Sequence, residues 1–183
     1  MGPYPLFSCL DWSRLPEDLD ALSSELVSTF LVLDPFGAYD HRQYEDYFDS
    51  FRPFKTHYVL ELHEGWEKEI KTRHKKNARH GLRISTVVQV DRPVDYADIW
   101  TDLYGNLIRR HELKGMHRFS RASFKKQLST PGCRLYLVCR DDNVIGGNIF
   151  YIHNEVAYGH LSAFTEEGYA LDRLLLRKLI RNE

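Results

Sequence analysis

Residues 155–180, EVAYGHLSAFTEEGYALDRLLLRKLI, concentrate the side chains best suited to chemistry. The first ten read as a strand. Alternation places Tyr158, His160, Ser162 and Phe164 on one face and Glu155, Ala157, Gly159, Leu161 and Ala163 on the other. An imidazole titrates near neutrality, which suits a general base, and His160 is the imidazole of this run. The bland reading, a hydrogen-bonded strand histidine, is the commoner one for such a residue, and Tyr158 reads as packing or as substrate lining. An acidic, glycine-bearing turn follows, Thr165-Glu166-Glu167-Gly168-Tyr169-Ala170, with a leucine-rich helix expected to begin near Ala170. The turn is either a cap on a core helix or a cradle for the phosphates of a cofactor. The first amides of a helix lack partners within it, and the dipole adds about half a positive charge there.

Other candidates are scattered. His111 and His117 flank ELKGM after a long helical pattern. Gly146-Gly147 interrupts a strand, as a bulge, a close packing point or room for substrate. Lys71, Arg73, Lys75, Lys76, Arg79 and Arg83 fall in a stretch with no acidic residue. That is a solvated helix face, or a surface that steers an anion. It has no interleaved aromatics for stacking on bases. No H-E-x-x-H or clustered Cys/His spacing is present, so no metal site is expected. A nucleophile elbow, a P-loop and a dinucleotide fingerprint are also missing. Cys9, Cys133 and Cys139 include no C-x-x-C pair, and they read as small apolar residues in a reducing cytoplasm.

The elements that must position these groups follow from periodicity. SRLPEDLDALSSELV reads as a short helix, VSTFLVLDPF as a buried strand, and DHRQYEDYFDSF as a helix carrying Tyr44, Tyr47, Phe48 and Phe51. FKTHYVLEL alternates and reads as a strand. GWEKEIKTRHKKNARHGL is helical, with Gly81 placed to end it. RISTVVQV is a strand. A long helix over PVDYADIWTDLYGNLIRRHELKG, with Tyr96, Ile99, Trp100, Leu103 and Leu107 on one face, ends at Gly115. SRASFKKQLST is a short helix capped by Ser120. CRLYLVCR, VIGGNIFYIH and EVAYGHLSAF form an antiparallel meander turned at Asp141-Asp142-Asn143 and His153-Asn154. The order predicts an α+β fold of mixed α/β layers, with a largely antiparallel sheet flanked by helices.

The 183 residues are 43% hydrophobic and 13% aromatic, enough for a packed core. No apolar run approaches the roughly 18 residues of a membrane span, and the N-terminus lacks the pattern of a secretory signal. Residues 1–64 carry 4 Lys/Arg against 12 Asp/Glu and the remainder 21 against 14, a net −8 followed by +7. That asymmetry predicts two regions, an acidic one over 1–53 and a domain over 54–183.

From Phe54 onward the sequence resembles the GNAT acyltransferase superfamily, nearest to its CelD-like and FemAB-like branch. KTRHKKNARHGLRIS is similar to that branch's basic helix, turn and strand. LYGNLIRRHELKGMHRFSRASFKKQL is similar to its long helix, His-containing linker and following helix. GCRLYLVCRDDNVIGGNIFYIHNEVAYGHLSAF is similar to its central hairpins. The resemblance implies acyl transfer from acetyl-CoA or another acyl-CoA to an amine or hydroxyl of a small-molecule, peptide or glycan-precursor acceptor. It implies backbone contacts from Ser162, Ala163 and Phe164 to the pantetheine arm. It implies a diphosphate site at Thr165, Gly168, Tyr169 and Ala170, and catalytic candidates in His160, Tyr158 and His111. TEEGYA keeps the last two small positions of the family's Q/R-x-x-G-x-G/A loop but has Thr165 for its leading Gln or Arg, and two glutamates where phosphates dock. The family's C-terminal strands are missing after the cofactor-site helix. That implies a fragment, a partner chain or homodimer that completes the sheet, or a noncatalytic binding or assembly module. The FemAB-like alternative implies a charged tRNA as donor.

Overall fold

The computed structural model describes residues 11–33, 36, 39–53, 56 and 58–171. The chain divides into two units, one through Leu62 and one from His63 onward.

In the first unit, helix α1 (Leu15–Ser23) starts with Pro16 in its first turn, where the missing N–H is no loss. Asp11 caps the short 3-10 turn before it, accepting from the Ser13 N–H at 3.0 Å. A second 3-10 turn, His41–Tyr47, stands where a full helix was expected. Of its aromatics Tyr44 is buried, and its hydroxyl donates to the Trp12 carbonyl at 2.6 Å; Tyr47 is exposed. The strands expected over 27–36 and 54–62 are absent from the described parts of those stretches. Val27, Phe30, Tyr58 and Leu62 are all exposed there. Apolar alternation permits a strand, but a strand also needs a neighbour to take its backbone hydrogen bonds.

In the second unit, α2 (Thr72–Ile84) leads into β1 (Thr86–Gln89). Gly81 does not end α2. It is buried within the helix, and the Ser85 hydroxyl closes the last turn by donating to the Gly81 carbonyl at 2.9 Å. Helix α3 (Ala97–His111) ends three residues before Gly115, at Glu112 in the left-handed region, with the Leu113 N–H returning to Ile108. Arg109, Arg110 and His111 occupy its last turn, where the helix dipole favours cations. Helix α4 (Arg121–Leu128) is capped by Ser120, as its sequence predicts.

The meander is β2 (Cys133–Arg140), β3 (Asn143–His153) and β4 (Val156–Phe164), and α5 (Glu166–Ala170) follows. The sheet order is β1-β2-β3-β4, antiparallel throughout. One face presents Leu135, Leu137, Ile149, Leu161 and Ala163 to Trp100, Leu103, Tyr104, Phe124 and Leu128 of α3 and α4. The other carries Val138, Ile145 and Phe164, with Tyr136, Phe150 and Tyr169 packed beside them. Trp100 and Phe124, both 0% exposed, meet edge-on at 6.3 Å in the first layer. This is the α+β arrangement, a four-stranded antiparallel sheet flanked by helices, that the sequence predicts.

Two residues are inserted into the ladder. Gly146 pairs with Val138 and Val144 with Cys139, which leaves Ile145 without a partner. Leu161 pairs with Ile149 and Gly159 with Phe150, so His160 is the extra residue of a second bulge.

Candidate functional site

The bulge at His160 breaks the alternation expected along β4. Tyr158 lies opposite Tyr151, and the His160 ring sits 5.2 Å from the Tyr151 ring, on the face covered by α4. Phe164 belongs to the opposite layer. Tyr158 and His160 therefore do not share a face with Phe164. Ala163 and Phe164 are fully buried, so their side chains serve the core and only their backbone can serve a ligand.

His160 Nε2 lies 3.1 Å from Gln127 Oε1. Gln127 Nε2 in turn donates to Ser123 Oγ at 3.0 Å, and the Tyr151 hydroxyl donates to the Gln127 carbonyl at 3.0 Å. Burial pushes the Tyr151 phenol well above its usual range, so it stays a hydrogen-bond donor. His111 is exposed at the end of α3 and shares no hydrogen bond with His160 or Tyr158. His117 contributes a backbone carbonyl to the Tyr104 hydroxyl at 2.8 Å.

Helix α5 begins at Glu166, four residues before the position expected, because Thr165 caps it. The Thr165 hydroxyl accepts from the Gly168 N–H at 3.1 Å, and the Thr165 N–H donates to the Ile145 carbonyl at 3.0 Å. Gly168 is held against that same carbonyl: a Cβ there would fall 2.1 Å from the oxygen. Gly146 and Gly147 have a related role, since a Cβ would meet the Phe164 ring at 2.1 Å and the Tyr136 carbonyl at 2.8 Å respectively. All three are close-packing glycines.

The glutamates of the turn do not occupy the helix amides. Glu166 pairs with Arg110 of α3 at 3.2 Å, and Glu167 with Arg140 of β2 at 3.5 Å. The Arg110 guanidinium also lies 4.3 Å above the Tyr169 ring, which meets Phe164 edge-on at 5.6 Å. Two guanidiniums thus converge on the turn from distant elements, although the turn itself lacks the arginine of the family loop. Neither was picked out by sequence reasoning, because Arg110 and Glu166 are 56 residues apart and no local spacing links them. A diphosphate fits this arrangement in part. The Glu166 and Glu167 amides open the first turn, where a helix has no internal partners to give them. The Gly168 amide is already committed, and an anion would have to displace carboxylates from Arg110 and Arg140. The carboxylates are the exposed halves of those pairs, Glu166 72% and Glu167 53% against 33% for Arg110 and 37% for Arg140, so they can swing out into solvent at modest cost.

Lys71 at the N-cap of α2 and Arg73, Lys76, Arg79 and Arg83 along it are exposed, and Lys75 is half-buried. None of the six is ion-paired among the described residues. Among those residues no group of three or more His, Cys, Asp or Glu is placed to hold a metal ion, and no helix is long and apolar enough to cross a membrane.

No curated protein matches the chain. Among solved structures it is similar to an aminoglycoside acetyltransferase, meta-AAC0020, from an uncultured soil metagenomic sample in complex with sisomicin. The identity is 13% and the TM-score 0.42, over 54% of this chain and 66% of that one. The same acetyltransferase in complex with trehalose gives 13% and 0.41 over the same shares. The chain thus spans just under two thirds of the length of that relative. The sequence profile described as "Acetyltransferase (GNAT) domain" matches residues 67–182, more than half of the chain and all of the described sheet, and the chain belongs to that family.

Proposed function

We propose that the unit from His63 onward is an acyltransferase of the CelD-like branch. It moves an acyl group, acetyl in the simplest case, from acyl-CoA to an amine or hydroxyl of a small-molecule, peptide or glycan-precursor acceptor in the cytoplasm. The acidic region over 1–53 is separate from that chemistry. The observation that supports this most is the meeting of Arg110, Arg140 and the first turn of α5 at the end of β4. Two cations there suit a diphosphate. β4 is the last strand of the described sheet, so half its backbone groups face away from β3 and suit a pantetheine arm. Ser162, Ala163 and Phe164 provide that backbone, and Thr165, Gly168, Tyr169 and Ala170 the turn beyond it. His160, Tyr158 and His111 remain the acid–base and lining candidates. The acyl carbon then exchanges its bond to sulfur for one to the acceptor, with positioning and backbone donors to the oxyanion supplying the catalysis.

The test is ligand-dependent stability together with thiol release. Acetyl-CoA at 100 times its dissociation constant stabilises the folded chain by about 2.7 kcal/mol, and an amine acceptor then liberates free CoA thiol. No stabilisation at millimolar acyl-CoA, with no thiol release, refutes the reading and leaves a noncatalytic module. Glu166→Gln with Glu167→Gln removes the competing carboxylates and tightens CoA binding roughly tenfold at low salt, less at high salt. The uncompensated cations of α2 favour one second reading, a FemAB-like transferase whose donor is a charged tRNA. RNase-sensitive co-purification of RNA with the protein, lost when Lys75, Lys76, Arg79 and Arg83 become glutamine, supports it; purification free of RNA refutes it.

A further inference from the structure

On the face of the sheet turned away from α3 and α4, three polar side chains stand abreast. Tyr136 of β2 is the register partner of Asn148 in β3, and Asn148 is the partner of Ser162 in β4, which sets neighbouring Cβ atoms about 5 Å apart. Ile149, Leu161 and Ala163 face the helices and Tyr136 and Phe150 the other layer, so alternation turns Asn148 and Ser162 toward Tyr136 and Phe150. Polar groups in the middle of a sheet are expected to bond one another or the backbone. These do not. Asn148 is 5% exposed, and its Oδ1 is buried with no hydrogen-bond partner among the described residues. The Tyr136 and Ser162 hydroxyls have none there either. Both residues are half-buried, so solvent reaches the row from either end. Phe150 borders the row, half-buried and edge-on to Tyr136 at 5.8 Å. Opposite it in β4 is the exposed Gly159, where a Cβ would meet only the Phe150 ring, at 3.4 Å. The glycine thus leaves that ring without a cross-strand side chain over it.

We infer that the row Tyr136–Asn148–Ser162 is the acceptor subsite and that the acceptor is a neutral hydroxylated ring, a sugar or cyclitol, acylated on a hydroxyl oxygen. This rests on the acyltransferase reading and narrows its acceptor. The two hydroxyls each donate and accept, and a half-turn of the Asn148 amide exchanges its oxygen for its nitrogen, so all three members of the row can do both. Ligand hydroxyls have that same dual capacity, whereas a carboxylate only accepts and an ammonium only donates. Neither ion finds its counter-charge in the row. Arg134, two residues from Tyr136, has its Nη1 turned to the Cys133 carbonyl at 3.1 Å. The electron-rich face of Phe150, bare beside Gly159, takes the C–H face of the ligand ring. Ser162 is the residue whose backbone meets the pantetheine arm in that reading, so a hydroxyl held at the β4 end of the row lies beside the thioester. The hydroxyl oxygen bonds to the acyl carbon, the carbon–sulfur bond breaks, and the hydroxyl proton passes to solvent. The sulfur leaves as a thiolate and takes a proton from solvent, giving an ester and free CoA thiol.

Saturation-transfer NMR on the full-length protein, without acyl-CoA, tests the subsite. The probes are the methyl pyranosides of glucose, galactose and mannose together with myo-inositol, and cyclohexylamine and cyclohexanecarboxylate are the charged-ring controls. The expected result is saturation transfer to the ring C–H protons of at least one polyol, well above that to either control. Asn148→Val should raise the dissociation constant of that polyol roughly tenfold while the protein melts at or above the parent temperature. Ser162→Ala, at a half-buried position, gives a second reading of the same loss should the valine variant fail to fold. Phe150→Leu should weaken binding while Tyr136 keeps its hydroxyl contact. No transfer to any of the polyols, equal transfer to the controls, or an unchanged dissociation constant in Asn148→Val and Ser162→Ala overturns the inference. Polyol binding without release of CoA thiol refutes the acyltransferase reading and leaves a polyol-binding face. Thiol release with an amine while no polyol binds refutes the subsite alone.

Discussion

Replacing Gly168 with alanine puts a methyl carbon where the Ile145 carbonyl already lies. The new Cβ would stand 2.1 Å from that oxygen, and 3.2 Å from both the Ile145 carbonyl carbon and Phe164 Cβ. The oxygen belongs to the backbone and accepts the Thr165 N–H at 3.0 Å, so it has little freedom to move. The turn must lift instead, which strains the Thr165–Gly168 cap at 3.1 Å and the Phe164–Tyr169 contact at 5.6 Å. Overpacking of this kind costs roughly 1–3 kcal/mol, and a weakened N-cap about 1 more. Alanine's better helix propensity returns about 1. The net is a loss of roughly 1–3 kcal/mol, or a fall in Tm of about 3–10 °C for a chain of this size. Far-UV circular dichroism melting, with urea titration showing an unchanged m value, measures it. Gly105→Ala is the control: its Cβ would meet only the tip of the Arg109 side chain at 3.6 Å, inside α3. That variant should gain up to about 1 kcal/mol. A Gly168→Ala protein that melts at or above the parent refutes the close-packing account of this turn.

Three further outcomes concern the cap, a buried thiol and a buried amide. Thr165→Ala should lose about 1 kcal/mol while Thr165→Ser keeps most of it, and equal urea midpoints for the two would show that the cap hydroxyl contributes nothing. Burial lifts the Cys133 thiol to about 11, above the unfolded value near 9. A raised pKa means the folded state holds its proton longer, so this contribution is whole below pH 9 and is lost as pH climbs through about 11, amounting to roughly 3 kcal/mol. Stability measured from pH 8 to 10.5 should therefore fall less steeply in Cys133→Ala, and parallel slopes would contradict the assignment. The Asn148 amide oxygen is buried and has no hydrogen-bond partner among the described residues. Asn148→Val removes that unpaired group from the middle of β3 and should be neutral or stabilising by about 1 kcal/mol in chemical denaturation. A clear loss would mean the amide is satisfied in solution.

Local chemistry made the meander readable in advance. Asp141 and Asp142 at φ 47° and 63°, and Asn154 at 51°, are residues that tolerate the left-handed turn geometry a tight hairpin requires, so the strands between them fall within one residue of expectation. Helix α3 was legible from its apolar spacing, although Ile99, placed on the buried face in sequence, is exposed, and Tyr104 is buried instead. Where a boundary depends on a competing partner, sequence failed. Gly81 looks like a helix end but is packed inside α2, and the helix stops when Ser85 reaches back to it. Residues 27–33 and 58–62 have strand-like composition, but no strand among the described residues pairs with them. Of the candidate site, the acidic, glycine-bearing turn was visible because its chemistry is local, but Thr165 was not read as the cap, so the helix start was placed four residues late. Arg110, Arg140 and Gln127 were not visible, since each meets its partner only after the chain has folded back on itself.

The extra residue in β4 acts on the strand as a single inserted letter acts on a message read in twos. Upstream of it the side chains address one layer in one phase, and downstream the phase is reversed, which is how Tyr158, opposite Tyr151, and Leu161 come to face the same layer although three residues apart. Exchanging His160 for another residue keeps that offset, whereas deleting it would turn Tyr158 and everything before it on the strand to the wrong side. Position 160 should therefore accept many substitutions as far as folding is concerned and reject loss, the reverse of what is expected at the tip of a hairpin.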